Sequence, residues 1–320
     1  MRSAQAYIGA LAIMDAPQPD SRIPYHRPAM LAEVLDLLAP RRGERAVDLT
    51  TGTGGHALAL SEQLGSDGLL VGIDADQQAL SVARQRLTEA ARSPFQLFHC
   101  RFSDAGEAAR QAGVEGFDVA LADLGVGTHQ LDDPARGFAF DSQSRLDMRF
   151  DTSEGTTAWD VVNRTSEQEL ADIFFTFGEE RYSRQIAAAI CRRRSREPID
   201  TPMQLAELIK GVVARRSSRR TWRIHPATRV AMAIRIAVND ELGQLDALLD
   251  ALPALLAHGG RAALITYHSI EARRVKQAWL EQQRQGILEI ITKHVVKPSD
   301  EEVRENPRVR SAQLRAARKP

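Results

Sequence analysis

Through the first 125 residues, short apolar runs alternate with stretches whose apolar residues recur at helical spacing. The runs "AVDL" (46–49), "LLVGI" (69–73), "FQLF" (95–98) and "FDVALA" (117–122) read as strands, and a helical pattern follows each. That alternation predicts parallel strands joined by crossover helices, hence an α/β fold with a doubly wound sheet. Ahead of the first strand, "PAMLAEVLDLL" presents an apolar helical face, with Pro28 suited to its first turn and Pro40 and Gly43 placed to end it.

The rhythm breaks after Asp123. From 134 to 225 only loop and helix signals occur, among them a capping box at Ser166 and Glu169 and a helix start at Thr201, Pro202 and Gln204. An all-helical insertion is expected there. Sheet signals then resume with one long helical stretch over 226–257, a stop at Gly259 and Gly260, and a strand "RAALIT" over 261–266. A last run, "ILEIIT" (287–292), and the segment "SAQLRAA" can pair as an antiparallel edge. The resulting division is a flexible tail over 1–25, a discontinuous sheet domain over 26–133 and 226–320, and the insertion over 134–225.

Composition narrows the class. At 43% hydrophobic and 26% charged residues, the chain has ordinary globular usage, which argues against disorder or a fibrous repeat. Its 42 basic and 42 acidic residues cancel, but they are not mixed evenly. Between Arg181 and Arg235 there are fourteen Arg and Lys against three acids, with the triplet Arg192, Arg193, Arg194 and the pairs Arg215, Arg216 and Arg219, Arg220. Such a stretch is either a footprint for phosphates or a set of solvated helix faces. Two distant cysteines, Cys100 and Cys191, and eight histidines without a paired spacing suggest neither a disulfide framework nor a dedicated metal site. No apolar run approaches the roughly 20 residues of a bilayer span. The patch "YIGALAIM" lacks a following cleavage pattern, so a cytoplasmic protein with a loose tail is expected.

The first chemical signal is "DLTTGTGGHALAL" (48–60). Gly52, Gly54 and Ala57 lie between a strand and a helix in the spacing that permits a tight turn, close ligand approach and close helix packing, and Asp74 ends the next strand. An acid there can accept both hydroxyls of a ribose. The pattern fits a dinucleotide, whose pyrophosphate would sit on the helix N-terminus, or S-adenosylmethionine, which offers a carboxylate, an amine and a sulfonium. Asp48 and Asp123 favour the latter, because acids beside the loop repel a pyrophosphate and suit cations. An ordinary strand-to-helix turn with capping carboxylates is the plain alternative.

"ADLGVGTHQLDDPARGFAFDSQSRLDMRFD" (122–151) sharpens this, together with "DLTTGTGGH", "IHPATRVAMAIRIAVNDEL" (224–242), "YHSIEARRVK" (267–276) and "KPSDEEVRENPRVRSAQLR" (297–315). From about His26 to Arg315 the chain resembles the MraW (RsmH) family of bacterial 16S ribosomal RNA cytosine-N4 methyltransferases. The resemblance implies a class I, Rossmann-like methyltransferase fold with a helical insertion after the fourth strand. It also implies S-adenosyl-L-methionine as cofactor and a cytosine in the decoding region of 16S rRNA, in the small ribosomal subunit, as substrate. The insertion would then bind rRNA. No membrane partner is expected, and a homodimer is left open. By matching positions, cofactor contacts fall on Gly54, Gly55, His56, Asp74, Phe102, Asp123 and Gln130. The chain departs from the family where members commonly read "SSPQLDD": here Gly127, Thr128 and His129 precede Gln130, and Thr53 stands where glycine is usual. His129 is read either as a surface loop residue or as a contact to RNA.

Methyl transfer from a sulfonium is an in-line displacement that depends mainly on alignment. Cytosine N4 is a poor nucleophile, and an acceptor for its proton would help. Asp123 and Asp133 are the candidates. Phe138, Phe140 and Tyr267 could stack a base taken out of its strand, or pack the core. His268 could face the substrate or bond to backbone. A noncatalytic RNA-binding or assembly protein that keeps the cofactor site, and a nicotinamide-dependent oxidoreductase, are the competing function classes.

Overall fold

The computed structural model describes residues 28–216 and 225–320. The tail expected over 1–25 and the pair Arg219, Arg220 lie outside the described residues. In chain order the first half is α1 (Leu31–Leu38), β1 (Arg45–Asp48), α2 (Gly55–Leu64), β2 (Leu69–Asp74), α3 (Gln77–Ala90), β3 (Phe95–His99), α4 (Ala105–Gln111), β4 (Phe117–Asp123) and the short α5 (Thr128–Asp132). The insertion follows as α6 (Ala158–Arg164), α7 (Glu167–Thr176), α8 (Ser183–Arg194) and α9 (Pro202–Arg216), without a strand among the described residues. Then come α10 (Thr228–Asn239), α11 (Glu241–Leu255), β5 (Leu256–Thr266), α12 (Ser269–Arg284), β6 (Glu289–Ile290), α13 (Asp300–Glu305) and β7 (Gln313–Arg318).

The seven strands form one sheet in the order β3-β2-β1-β4-β5-β7-β6. The first five are parallel, while β7 runs antiparallel between β5 and β6. This is the class I methyltransferase sheet that the resemblance implied. The strands read as continuous apolar runs because both faces are covered. Val47, Val71, Ala120 and Leu264 meet α4, α11 and α12 on one face, while Ala46, Leu70, Leu121 and Ile265 meet α1 and α2 on the other. Because β1 pairs with β2 on one side and β4 on the other, the connections reverse direction there. A crevice opens at the carboxyl ends of those strands.

Several boundaries differ from the sequence reading. The helical stretch over 226–257 is two helices, broken where Asp240 takes a left-handed conformation with φ 49°. Gly259 and Gly260 do not stop a helix; they lie inside β5, where the pairing with β4 shifts register and Gly259 has φ 75°. A bulge of that kind lets Gly260 pass against β4, since a Cβ there would come within 2.6 Å of the Phe117 carbonyl oxygen. Pro28 lies ahead of α1 rather than in its first turn, and packs on Gly55 of the glycine loop. The last apolar run contributes only a two-residue strand, paired to β7 as expected.

The insertion has its own core, in which Val162, Leu170, Phe174, Ile186, Ile190 and Ile209 are buried. Val230, Ala233 and Ile234 of α10 also join it. The helices start where the sequence marks them: Ser166 Oγ accepts from the Glu169 amide, and Thr201 Oγ1 accepts from the Gln204 amide. Phe174 has no exposed surface. Replacing Phe174 with alanine is expected to lower unfolding free energy by about 3–5 kcal/mol, read from urea denaturation. A loss under about 1 kcal/mol would show that this core does not contribute to global stability.

Candidate active site

The crevice holds a cavity of about 340 Å³, walled by the glycine loop, the ends of β2 and β4, the residues after β4 and β5, and the segment around Phe150. Its floor is acidic. Asp74 and Asp123 line it, and Asp48, fully buried at the end of β1 and not itself on the wall, accepts one hydrogen bond from the Thr50 amide at 3.2 Å through Oδ1, while its Oδ2 has no partner. Burial pushes its carboxyl up to about 7, against the opposing pull of His56. Asp74 closes β2 and accepts from the Gly52 amide at 2.7 Å and the Asp76 amide at 2.8 Å. Burial and the Asp76 charge raise its carboxyl too. The Gly52 bond requires the turn that glycine permits there, at φ 52°.

Asp123 ends β4 at the opposite wall. Its amide donates to Thr50 Oγ1 at 2.6 Å, and its Oδ1 accepts from the Tyr267 hydroxyl at 2.9 Å. Burial, then the Asp123 charge, drive the Tyr267 phenol well above its ordinary value, so it remains a donor. His56 stands in the first turn of α2, 6% exposed, with Nε2 3.7 Å from Asp123 Oδ2. Neither of its ring nitrogens has a hydrogen-bond partner. Phe102 lies in a short 3-10 turn after β3 and presents an apolar ring to the same cavity.

The structure therefore brings Gly55, His56, Asp74, Phe102, Asp123 and Gln130 around one space. Gly54 shapes the loop instead: it is the left-handed residue before α2, and a Cβ on it would meet Ala83 at 3.2 Å. Gln130 is not a free amide, because it accepts from the Gly127 amide and donates to Asp76 Oδ2 at 2.8 Å. Asp133 is not brought to the cavity wall; its carboxylate caps the turn Pro134–Arg136 by accepting from the Ala135 amide. Of the aromatic candidates only Tyr267 lines the cavity. Phe138 stacks on Phe150 with centroids 6.2 Å apart, and Phe140 stacks on His225 at 4.8 Å. His268 caps α12 and pairs with Glu271, so it bonds locally. His129 is not a surface residue; it lines the cavity and is held from within. Its side chain is 10% exposed, with Nε2 3.3 Å from Asp76 Oδ2.

Two features were not legible in the sequence. Asp76, two residues past the expected ribose acid, gathers three side chains on one oxygen. On the wall below Tyr267, Arg235 grips Glu241 through two bonds of 2.7 and 2.9 Å. Beside them Glu271 accepts from the Tyr267 amide. Glu241, His268 and Glu271 offer ligand atoms within 4.8 Å of one another, but these bonds already engage both carboxylates, as a buried ion network requires. A lone acid in a sequence gives no sign of such partners.

The basic stretch also changes character. Arg194 donates to the carbonyls of Val162 and Thr165 and so caps α6, and Arg193 pairs with Glu197 at 2.7 Å. Arg192, Arg196 and Arg215 are exposed.

A model of the MraW methylase family matches residues 24–320. The chain is 42% identical over 313 residues to the ribosomal RNA small subunit methyltransferase H of Geotalea uraniireducens, covering 92% of this chain and 98% of that protein. It is 44% identical over 312 residues to the protein of the same name from Geobacter sulfurreducens, with the same two coverages.

Asp48 makes the acidity testable. Its folded value near 7 lies above the ordinary 3.8, so the folded chain holds a proton more tightly and this group's contribution falls as pH rises from about 4 to 7. Asp48→Asn, measured without cofactor, should exceed wild-type stability above pH 7, on the order of 4 kcal/mol at most. The gap should close towards pH 4. Parallel wild-type and variant profiles would contradict the assignment.

Proposed function

The chain belongs to the MraW methylase family, and from that premise we propose that it methylates N4 of a cytosine in the decoding region of 16S rRNA, using S-adenosylmethionine. The small ribosomal subunit is its partner, and the cytoplasm its place of work. No helix among the described residues is long and apolar enough to cross a membrane.

The observation that carries the reading is the acid-lined cavity at the strand reversal. Asp74 and Asp123 line a space bounded by a glycine loop, and Asp48 is buried next to Leu49 and Thr50 of that wall. The Asp74 and Asp123 carboxylates on that wall suit a ligand carrying an ammonium and a sulfonium and oppose a pyrophosphate. S-adenosylmethionine is the cofactor that fits, and when bound it supplies an electrophilic methyl group. Asp74 would hold its ribose, Phe102 its adenine, and the Gly55–His56 turn with Asp123 its methionine end.

The chain's own work is alignment and proton handling. N4 forms a bond to the methyl carbon as the carbon–sulfur bond breaks, and N4 then gives up one proton. Asp123 is the acceptor at this end of the sheet. The Tyr267 hydroxyl on Oδ1 fixes its plane and leaves Oδ2 turned to the His56 side. A carboxylate so held can take a hydrogen bond from N4–H and sharpen the nitrogen lone pair. Tyr267 also offers a ring at the cavity wall for the extruded base.

Purified protein should transfer labelled methyl from S-adenosylmethionine to small subunits that lack the modification, with mass spectrometry locating it on a cytosine. Asp123→Ala should lower kcat by about a hundredfold or more. Cofactor binding without transfer by the wild type would instead identify a noncatalytic RNA-binding protein.

If the exposed arginines of α8 meet phosphates, Arg192→Ala should reduce the slope of log binding constant against log salt by roughly one. Arg194→Ala should instead lower stability, because it uncaps α6. An unchanged slope in Arg192→Ala would remove that residue from the RNA interface.

A further inference from the structure

Asp76 is the N-cap of α3, yet only half of its carboxylate serves that purpose. Oδ1 accepts from the amides of Gln78 at 3.0 Å and Ala79 at 3.2 Å. Oδ2 turns the other way and meets Arg136 Nη1 at 2.7 Å, Gln130 Nε2 at 2.8 Å and His129 Nε2 at 3.3 Å. Asp76, Gln130 and Arg136 are 2, 4 and 5% exposed, so these bonds form away from water, where they are strong and costly to break. Burial alone would raise the carboxyl, but the bonds from His129 and Gln130 and the Arg136 charge hold it far below the ordinary range.

The connections continue in both directions. The Asp76 amide donates to Asp74 Oδ1 at 2.8 Å, and Asp74 Oδ2 holds the Gly52 amide of the glycine loop. On the far side, Gln130 accepts from the Gly127 amide, and Arg136 Nη2 donates to the carbonyls of Arg149 and Phe150, both at 2.9 Å. Residues 125–131, Arg149 and Phe150 line the same cavity as the glycine loop. One carboxylate thus lies between the cofactor wall and the wall that a substrate must approach.

The local sequence is built around this contact. A Cβ on Gly127 would come within 2.5 Å of His129 Cε1. The imidazole occupies the space a side chain at 127 would need, so Gly127 and His129 act as a pair.

We propose that Asp76 is a positioning residue that makes the shape of the 125–137 segment depend on occupancy of the cofactor site, through Asp74 on one side and Arg136, Gln130 and His129 on the other. The proposal rests on the S-adenosylmethionine reading of the cavity but not on the identity of the methylated nucleotide. Ligand bound at Asp74 steadies Asp76, and Asp76 then holds the 125–137 segment in place for the acceptor.

Hydrogen exchange with and without S-adenosylhomocysteine tests it directly. In the wild type the ligand should slow exchange in both 50–58 and 125–137. In Asp76→Asn it should still slow 50–58, while 125–137 exchanges about tenfold faster and no longer responds. Because that variant leaves Arg136 without its charge partner, Asp76→Asn with Arg136→Gln provides a second, charge-free test of the same loss. In either folded variant kcat for methyl transfer should fall about tenfold or more with KM for the cofactor within roughly threefold of wild type. Gly127→Ser, which displaces the His129 ring, should show a weaker form of the same split. Ligand-dependent protection of 125–137 that survives in the folded double variant would overturn the proposal, as would cofactor affinity falling in step with kcat. If the wild type transfers no methyl to rRNA, the exchange experiment still decides the coupling, so the two readings fail separately.

Discussion

The constraint on which the molecule turns is the reversal of winding between β1 and β4. Connections leave these neighbouring strands towards opposite edges of the sheet, so no crossover covers their carboxyl ends. Asp48 and Asp123 end those two strands and Asp74 ends β2, which places Asp74 and Asp123 on the crevice wall and Asp48 buried at the strand end between them. Apolar burial on both faces holds the strands in register, and that register fixes the spacing of the acids. The chemistry of the cavity is therefore set by the sheet rather than by loop choice.

Concentrated acid is unfavourable without a compensating cation. Asp48, with its carboxyl near 7 and one oxygen unpartnered, carries much of that strain. A ligand with an ammonium and a sulfonium offsets the Asp74 and Asp123 charges on the cavity wall, while a diphosphate would add to them. Burial, and after it the Asp123 charge, keeps the Tyr267 phenol protonated, so the group that orients Asp123 cannot become a competing anion. Burial at the strand ends thus shapes both the charge of the cavity and the geometry at the transfer end.

The insertion is joined to the sheet by polar bonds as well as by apolar packing. Asn239 accepts from the Phe150 amide and donates to the Met148 carbonyl, and Arg235 holds Glu241 across the break at Asp240. Buried bonds of this type add less to net stability than to uniqueness of arrangement, since removing one partner leaves an unsatisfied group. They give the cavity walls a defined separation, which methyl transfer requires more than it requires affinity.

Local chemistry determined a good part of this protein. The apolar runs located the parallel strands, the capping boxes located α7 and α9, and the glycine spacing located the loop that approaches a ligand. Each of these signals acts over a few residues, through backbone geometry or period. Tertiary structure decided the rest. Gly259 and Gly260 looked like a helix stop, but strand pairing with β4 absorbed them into a bulge. Asp133 looked like a second acceptor beside Asp123, yet it was spent locally on the Ala135 amide. Arg194 looked like a phosphate contact or part of a solvated helix face, and it caps α6 across 29 and 32 residues of chain. Asp76 gave no signal in the sequence, because its partners Gln130 and Arg136 stand 54 and 60 residues away. A side chain's type and neighbours in sequence fix what bonds it can make; only the folded chain fixes which partners arrive.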